Sequence, residues 1–278
     1  MTKKKTDSSL EESTKDYHKL SIQVGLNGLS FCVLDTIGNR ILNSQNIVFG
    51  GELAPYDVQK SLIELFDTHG ITDMSFSEVV VIHRNNLFSL VPKALFDENE
   101  LANYLKFNAK ILANDHIAYD EIESYDMMNV YVPFVNINNY IYELFGEFEF
   151  RHNGTVLIQA LLNSHGNNSE QAVCYVHVAE NHMEIIVLSQ KRLQLYNSFA
   201  YTTKEDFIYY LLFSLEQLKL ASETVKLRLF GQIDEGDEYY SICAEYVKNI
   251  SIFVPASTSY QWEEADEETI DFAVLNAL

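Results

Sequence analysis

Short apolar runs with alternating polar positions organise this chain. Residues 20–24 alternate with period two, residues 26–28 carry turn chemistry, and residues 29–34 resume the β-rich pattern, which predicts a hairpin. A Gly38-Asn39 turn leads into residues 41–49 and a third antiparallel strand before Gly50-Gly51 breaks the pattern. The period then changes. Val58, Leu62, Ile63, Leu65 and Phe66 recur at helical spacing behind Pro55, whose fixed φ and missing N–H suit a first helical turn, and the segment stops near His69-Gly70. Residues 79–82 return to strand. A helix with one apolar stripe must bury it, so the order strand, strand, strand, helix, strand predicts a mixed α/β layer.

The same order recurs further on. Residues 175–178, 183–188 and 193–198 read as three strands, followed by a helix over 203–220 and a strand over 225–230. Placing Val24 on Val178 sets an offset of 154, which also puts Asn27 on Asn181, Val33 on Val187, Leu34 on Leu188 and Asn43-Ser44 on Asn197-Ser198. Two readings are open: a duplicated domain, or two sets of ordinary half-buried strands that share an alternation. Between them lie strand-like residues 87–90, 128–134 and 148–151, and helical patterns over 98–105 and 155–162. The polar stretch 165–170 reads as a domain connection. The division expected is a polar leader over 1–16, a first domain over 17–165 and a second over 170–278 with an acidic C-terminal segment. Ile270, Phe272, Ala273, Leu275 and Leu278 would dock that segment as a helical tail.

Composition narrows the function classes. The chain has 278 residues, enough for two moderate cores, and 40 acidic residues against 19 basic ones give a net charge of −21. That field repels phosphate backbones and anionic lipid heads, which argues against nucleic acid as a partner. No run of about 18 apolar residues could cross a bilayer, which argues against integral membrane association. Lys3, Lys4 and Lys5 precede polar residues instead of an apolar signal core, and a cytoplasmic location is expected. Cys32, Cys174 and Cys243 are widely spaced within apolar patterns and read as buried thiols. The acceptor strings at Asn153, Asn167 and Asn249 are coincidences if the chain is not secreted.

Candidate chemistry is sparse. Asp115, Asp120, Glu121, Glu123 and Asp126, and then Asp234, Glu235, Asp237 and Glu238, gather oxygen ligands, yet neither group has calcium-loop spacing; both read as solvated loops. His83, His116 and His182 belong to no zinc pattern, so no metal site and no catalytic residue is assigned. Tyr119, Tyr125, Tyr131, Tyr140 and Tyr142, with Tyr209-Tyr210 and Tyr239-Tyr240, serve either core or recognition. The acidic run 263–268 serves either solubility or a basic partner.

The repeated hairpins and helix resemble the actin, heat-shock chaperone and sugar-kinase superfamily, and the whole chain resembles an uncharacterised Bacteroidetes family with an actin-like ATPase fold. That resemblance implies an α/β chain of two ribonuclease H-like domains with a nucleotide between them. In typical active relatives the first phosphate hairpin reads hydrophobic-Asp-hydrophobic-Gly. Here Ile22-Gln23-Val24-Gly25-Leu26-Asn27 places Gln23 at the acid. In the second hairpin, Val176-His177-Val178-Ala179-Glu180-Asn181 places His177 at the acid and Ala179 at the glycine. Arg228-Leu229-Phe230-Gly231-Gln232 resembles the start of the adenosine-side strand and turn.

The candidate cofactor positions are therefore Gln23, Gly25, Asn27, His177, Asn181 and Gly231, although Gly25 and Asn27, with Gly28, can simply form the strand reversal. Magnesium needs oxygen ligands, and the departures at Gln23 and His177 remove a way to hold it. The leading expectation is a non-catalytic actin-like binding or scaffold protein with a protein partner. Its alternatives are a nucleotide-binding regulator without efficient turnover, and a divergent ATPase or small-molecule kinase using ATP with magnesium. Composition leaves the oligomeric state open.

Overall fold

The computed structural model describes residues 17–112, 114–122, 125–164, 171–190, 192–254, 261–262 and 271–278, with 261–262 described through the backbone alone. The leader over 1–16, the connection over 165–170 and the acidic run over 263–268 lie outside the described residues.

Strands β1 (His18–Gly25), β2 (Gly28–Asp35) and β3 (Arg40–Val48) form the expected meander, followed by α1 (Pro55–Thr68) and β4 (Glu78–Arg84). Next come β5 (Phe88–Pro92), α2 (Leu101–Leu105), β6 (Ala118–Ile122), β7 (Met127–Tyr131), α3 (Val135–Phe145), β8 (Glu149–His152) and α4 (Asn153–Ser164). The second series is β9 (Val173–Ala179), β10 (His182–Ser189), β11 (Arg192–Ala200), α5 (Lys204–Gln217), β12 (Lys226–Gly231), α6 (Glu238–Tyr246) and β13 (Asn249–Ile252). Strand β14 (Gln261–Trp262) and helix α7 (Phe272–Asn276) end the chain.

Two mixed sheets share one plan. Their orders are β14-β3-β2-β1-β4-β8 and β11-β10-β9-β12-β13. In each, the three-strand meander is antiparallel and the next two strands run parallel to the first. A β-bulge falls between Val33 and Leu34 in the first sheet and between Val187 and Leu188 in the second, at the offset of 154 read from the sequence. Beyond the bulge the offset changes. Phe31 faces Gln45 whereas Ile185 faces Asn197, so Asn197 matches Gln45 and the Asn-Ser identity is out of register. The physical cause is turn length: four residues separate Asp35 from Arg40, and two separate Ser189 from Arg192. A difference of two keeps every side chain on its face, so the alternation conceals the slip.

Each sheet buries one face under two helices. Leu20, Ile22 and Val24 pack with Val58, Leu62 and Phe66 of α1 and with Ile137 and Ile141 of α3. Val176, Val178 and Ile185 pack with Phe207, Leu211 and Leu215 of α5 and with Cys243 of α6. Helix α5 begins with a capping box in which Thr203 Oγ1 accepts from Asp206 N at 3.1 Å and Asp206 Oδ2 accepts from Thr203 N at 3.1 Å. The first series also carries an insertion between β4 and α3. Its strands form a third sheet of order β5-β7-β6 over a small core of Val91, Leu105, Met128, Val130 and Val132.

The described residues group into two compact units, one drawn from Met1–Glu121, Met127–Val156 and Thr258–Leu278, the other from Ile122–Asp126 and Leu157–Ser257. The division falls within α4, ahead of the polar stretch 165–170. It also groups Thr258–Leu278 with the first unit, whereas the sequence pattern runs the second domain over 170–278. Phe272, Ala273 and Val274 are buried, and α7 lies on β1 and β2. Apolar burial, which has no memory of sequence distance, explains that grouping.

Candidate functional site

Strand alternation sends Ser21 and Gln23 of β1, with Ser30 and Cys32 of β2, to the face opposite the Leu20, Ile22 and Val24 core, and all four are buried. Gln23 Nε2 donates to Asp271 Oδ2 at 2.9 Å. Asp271 also caps α7, its Oδ1 accepting from Ala273 N at 2.8 Å and from Val274 N at 3.4 Å. The Gln23 Oε1 and the Ser21 and Ser30 hydroxyls find no hydrogen-bond partner among the described residues. Gly25 faces Gly28 across the turn, and a Cβ at Gly28 would stand 2.6 Å from Ile47 O. Asn27 O accepts from Phe49 N at 2.8 Å, tying the turn to the end of β3. Asp271→Ala removes both the cap and the partner of Gln23; a loss of about 1–2 kcal/mol in urea unfolding is expected.

The second hairpin closes differently at the same place. The offset of 154 relates Gln23 to His177 and Ser30 to Glu184; Gln23 is the cross-strand neighbour of Ser30, and His177 that of Glu184. His177 Nδ1 lies 2.9 Å from Glu184 Oε2, with both side chains buried. The imidazole stacks obliquely on Phe230 with centroids 5.0 Å apart. Gly231 has φ of 94°, and a Cβ there would lie 2.4 Å from Val178 O and 2.8 Å from His177 Cδ2. Asn181 O accepts from Tyr201 N at 3.2 Å. Of the six candidate positions, Gln23, Gly25 and Asn27 therefore share the first hairpin, while His177 touches Gly231 beside the second.

A buried polar cluster in the first unit escaped sequence reasoning. Asp120, expected in a solvated acidic loop, instead lies on β6 and points inward: its Oδ2 accepts from His152 N at 2.8 Å and Thr155 Oγ1 at 2.7 Å, and its Oδ1 from Tyr131 Oη at 3.0 Å. Burial pushes this carboxyl up to about 6, against the three donors and the Arg151 charge. His152 Nδ1 accepts from Gly154 N at 3.0 Å, which leaves Nε2 to donate to Asn85 O at 3.0 Å. His83 Nδ1 likewise accepts from Phe134 N at 3.2 Å while Nε2 donates to Asn138 Oδ1 at 2.9 Å. Burial takes His83 down to about 3, the nearby His152 lowering it further and the Asn138 bond opposing. The legible signal was alternation: positions 118, 120 and 122 share one face of a strand.

Other candidate groups have local duties. Asp234 Oδ1 accepts from Gly236 N at 2.6 Å, and Asp237 Oδ1 accepts from Tyr239 N at 2.9 Å as the cap of α6. Asp115 accepts from Leu112 N at 2.7 Å, and Glu121 pairs with Lys93. Among the described residues, no three of His, Cys, Asp and Glu converge to hold a metal ion. All three cysteines are buried free thiols, and burial pushes Cys32 and Cys243 up to about 12 and raises Cys174 as well, which keeps the sulfurs protonated. No helix among the described residues is long and apolar enough to cross a membrane.

The sequence profile of the family described as "Protein of unknown function (DUF3822)" matches residues 7–250. The chain belongs to that family. No curated protein matches the DUF3822 chain. Among solved structures it is similar to a Bacteroides thetaiotaomicron VPI-5482 protein with an actin-like ATPase fold and unknown function, at 21% identity and a TM-score of 0.75, over 91% of this chain and 96% of that one. It is also similar to the PilM-PilN type IV pilus biogenesis complex, at 11% identity and a TM-score of 0.58, over 93% of this chain and 97% of that chain. The DUF3822 chain thus has an actin-like ATPase fold.

Such a fold implies magnesium and ATP, and two side chains of the DUF3822 chain bear on the fit. Magnesium takes hard oxygen ligands, commonly one or two carboxylates. At the hairpin position where the resemblance places acids, this chain holds an amide whose Nε2 is given to Asp271 and an imidazole set against Glu184. Neither supplies an anionic oxygen, so these residues do not fit a magnesium phosphate.

Proposed function

We propose that the protein is a non-catalytic, actin-like binding or scaffold protein of the cytoplasm, built from two duplicated ribonuclease H-like units whose nucleotide motifs are degenerate. One observation carries the reading: Gln23 Nε2 and His177 Nδ1, at matching places in the two hairpins, are each engaged by a carboxylate of the chain itself. A phosphate-handling turn needs convergent donors and metal-bound oxygens left available for the ligand. In this reading Gly25, Asn27, Asn181 and Gly231 hold the reversals, and Asp120, His152 and Thr155 lock the inserted sheet to the start of α4. A protein partner draws support from the likeness to the PilM-PilN complex.

The test is incubation of the purified full chain with ATP and magnesium, following phosphate release and, separately, nucleotide binding by calorimetry. No protein-dependent phosphate release and no saturable binding are expected. Turnover that disappears in Gln23→Ala would overturn the proposal. Saturable binding without turnover would move the protein to a nucleotide-binding regulator.

A further inference from the structure

Helices α1 and α5 occupy matching places on the two sheets and have 14 residues each. Aligned from their first residues, the four buried positions of α1 all fall on buried positions of α5, Val58 on Phe207, Leu62 on Leu211, Leu65 on Ser214 and Phe66 on Leu215, and α5 buries Ile208 in addition. That register also aligns their outward positions, where the two helices differ in kind. Helix α1 shows solvent Lys60 and Glu64 at those two places, with exposed Tyr56 one turn earlier under the Lys60 ammonium. Helix α5 has Tyr209 and Phe213 in those places, 60% and 44% exposed, their rings stacked at 6.0 Å and 18°. The fold does not require aromatics there, since the same packing is met on α1 without them.

Exposed Glu205 and Glu216 lie on the same outward stripe, one on either side of the aromatic pair along α5. An aromatic pair flanked by carboxylates is chemically matched to an apolar segment with cationic ends, because cations are drawn both to the acids and to the ring faces. The net charge of −21 opposes a second copy of this chain, and it opposes nucleic acid and anionic membrane in the same way.

We propose that the outer face of α5, centred on Tyr209 and Phe213 between Glu205 and Glu216, docks a cationic amphipathic segment of a partner protein. The inference rests on the binding-protein reading above and names its surface and the chemistry of its partner. Aromatic side chains that cover apolar area with few rotatable bonds are the usual energetic centres of such contacts.

The probe is a synthetic 14-residue amphipathic peptide of leucine with lysine and arginine, about one α5 in length, titrated into the full chain by calorimetry at about 0.15 M salt. A peptide of the same apolar pattern with glutamate for the basic residues is the control. The variant is Tyr209→Lys with Phe213→Glu, which installs the residue types of α1 and leaves the net charge unchanged, so general attraction to an acidic protein persists in both. A loss of affinity of about tenfold or more is expected, with a thermal midpoint close to that of the parent because both sites face solvent. Glu205→Gln with Glu216→Gln should weaken the cationic peptide and not the glutamate peptide. Equal affinity of parent and Tyr209→Lys/Phe213→Glu for the cationic peptide, or equal affinity of the parent for the two peptides, overturns the proposal. ATP turnover by the chain would instead sink the non-catalytic reading and leave this result standing.

Discussion

Gly231→Ala is expected to destabilise the protein by about 3–5 kcal/mol, the combined cost of a non-glycine residue at positive φ and of forcing a Cβ against the Val178 carbonyl and the buried His177 ring. The backbone at Gly231 has φ of 94°, and the added Cβ would meet Val178 O at 2.4 Å and the His177 ring at 2.8 Å. Neither neighbour can retreat cheaply. Val178 pairs with Gly231 in the parallel β9 to β12 ladder, and its carbonyl also accepts from Gln232 N at 2.8 Å. His177 is held by Glu184 on one side and Phe230 on the other. Urea unfolding followed by circular dichroism measures the loss. If Gly231 mattered only for the approach of a ligand, Ala there would leave unfolding unchanged, and a shift below about 1 kcal/mol would show that the chain relieves the overlap.

The second large effect belongs to Asp120. Asp120→Ala leaves the Tyr131 hydroxyl, the Thr155 hydroxyl and the His152 N–H without their common acceptor, at a cost of about 3–5 kcal/mol at neutral pH. Asp120→Asn keeps the shape and removes the titration. The native carboxyl is raised from 3.8 to about 6 by burial. A raised carboxyl binds its proton more tightly in the native state, so its stabilising contribution is fully present below the unfolded pKa and is lost as pH rises through about 6. Relative to Asp120→Asn, the parent should therefore lose about 2–3 kcal/mol between pH 4 and 7, read from urea midpoints at several pH values. His83 works in the opposite direction, its lowered pKa giving a contribution present above the unfolded value and lost as pH falls toward about 3. It is common to both proteins and cancels in the difference. A flat difference across that range would mean that Asp120 is ionised without penalty.

Periodicity served well wherever one face of an element was buried. The β1 to β3 meander, the β9 to β11 meander and helices α1 and α5 follow from alternation and helical spacing, because such elements must segregate apolar from polar side chains. It failed where a segment mixed its signals. Residues 128–134 read as one strand, yet the strand stops at Tyr131 and α3 begins at Val135. Pro133 lies in the bend, and α3 opens on Asn136, Asn138 and Asn139, residues of low helix propensity, with Ile137 and Ile141 on its buried face. The third strand of the second meander slipped by two residues unnoticed because a shift of two preserves the alternation.

The sequence by itself determined the two matching strand, strand, strand, helix, strand series, the offset that joins them through the first hairpin and the bulge, and the unusual residues at Gln23 and His177. Those are local properties, written in periods of two and 3.6 and in residue identity. Only the tertiary structure decided what those residues touch. Asp271, near the end of the chain, reaches Gln23 near its beginning; Glu184 meets His177 across a ladder; Asp120 turns inward to three donors; and Tyr209 and Phe213 stay outside. Such pairings depend on which surfaces the packing of helices on sheets leaves free, and that is settled by long-range burial, to which no window of neighbouring residues has access.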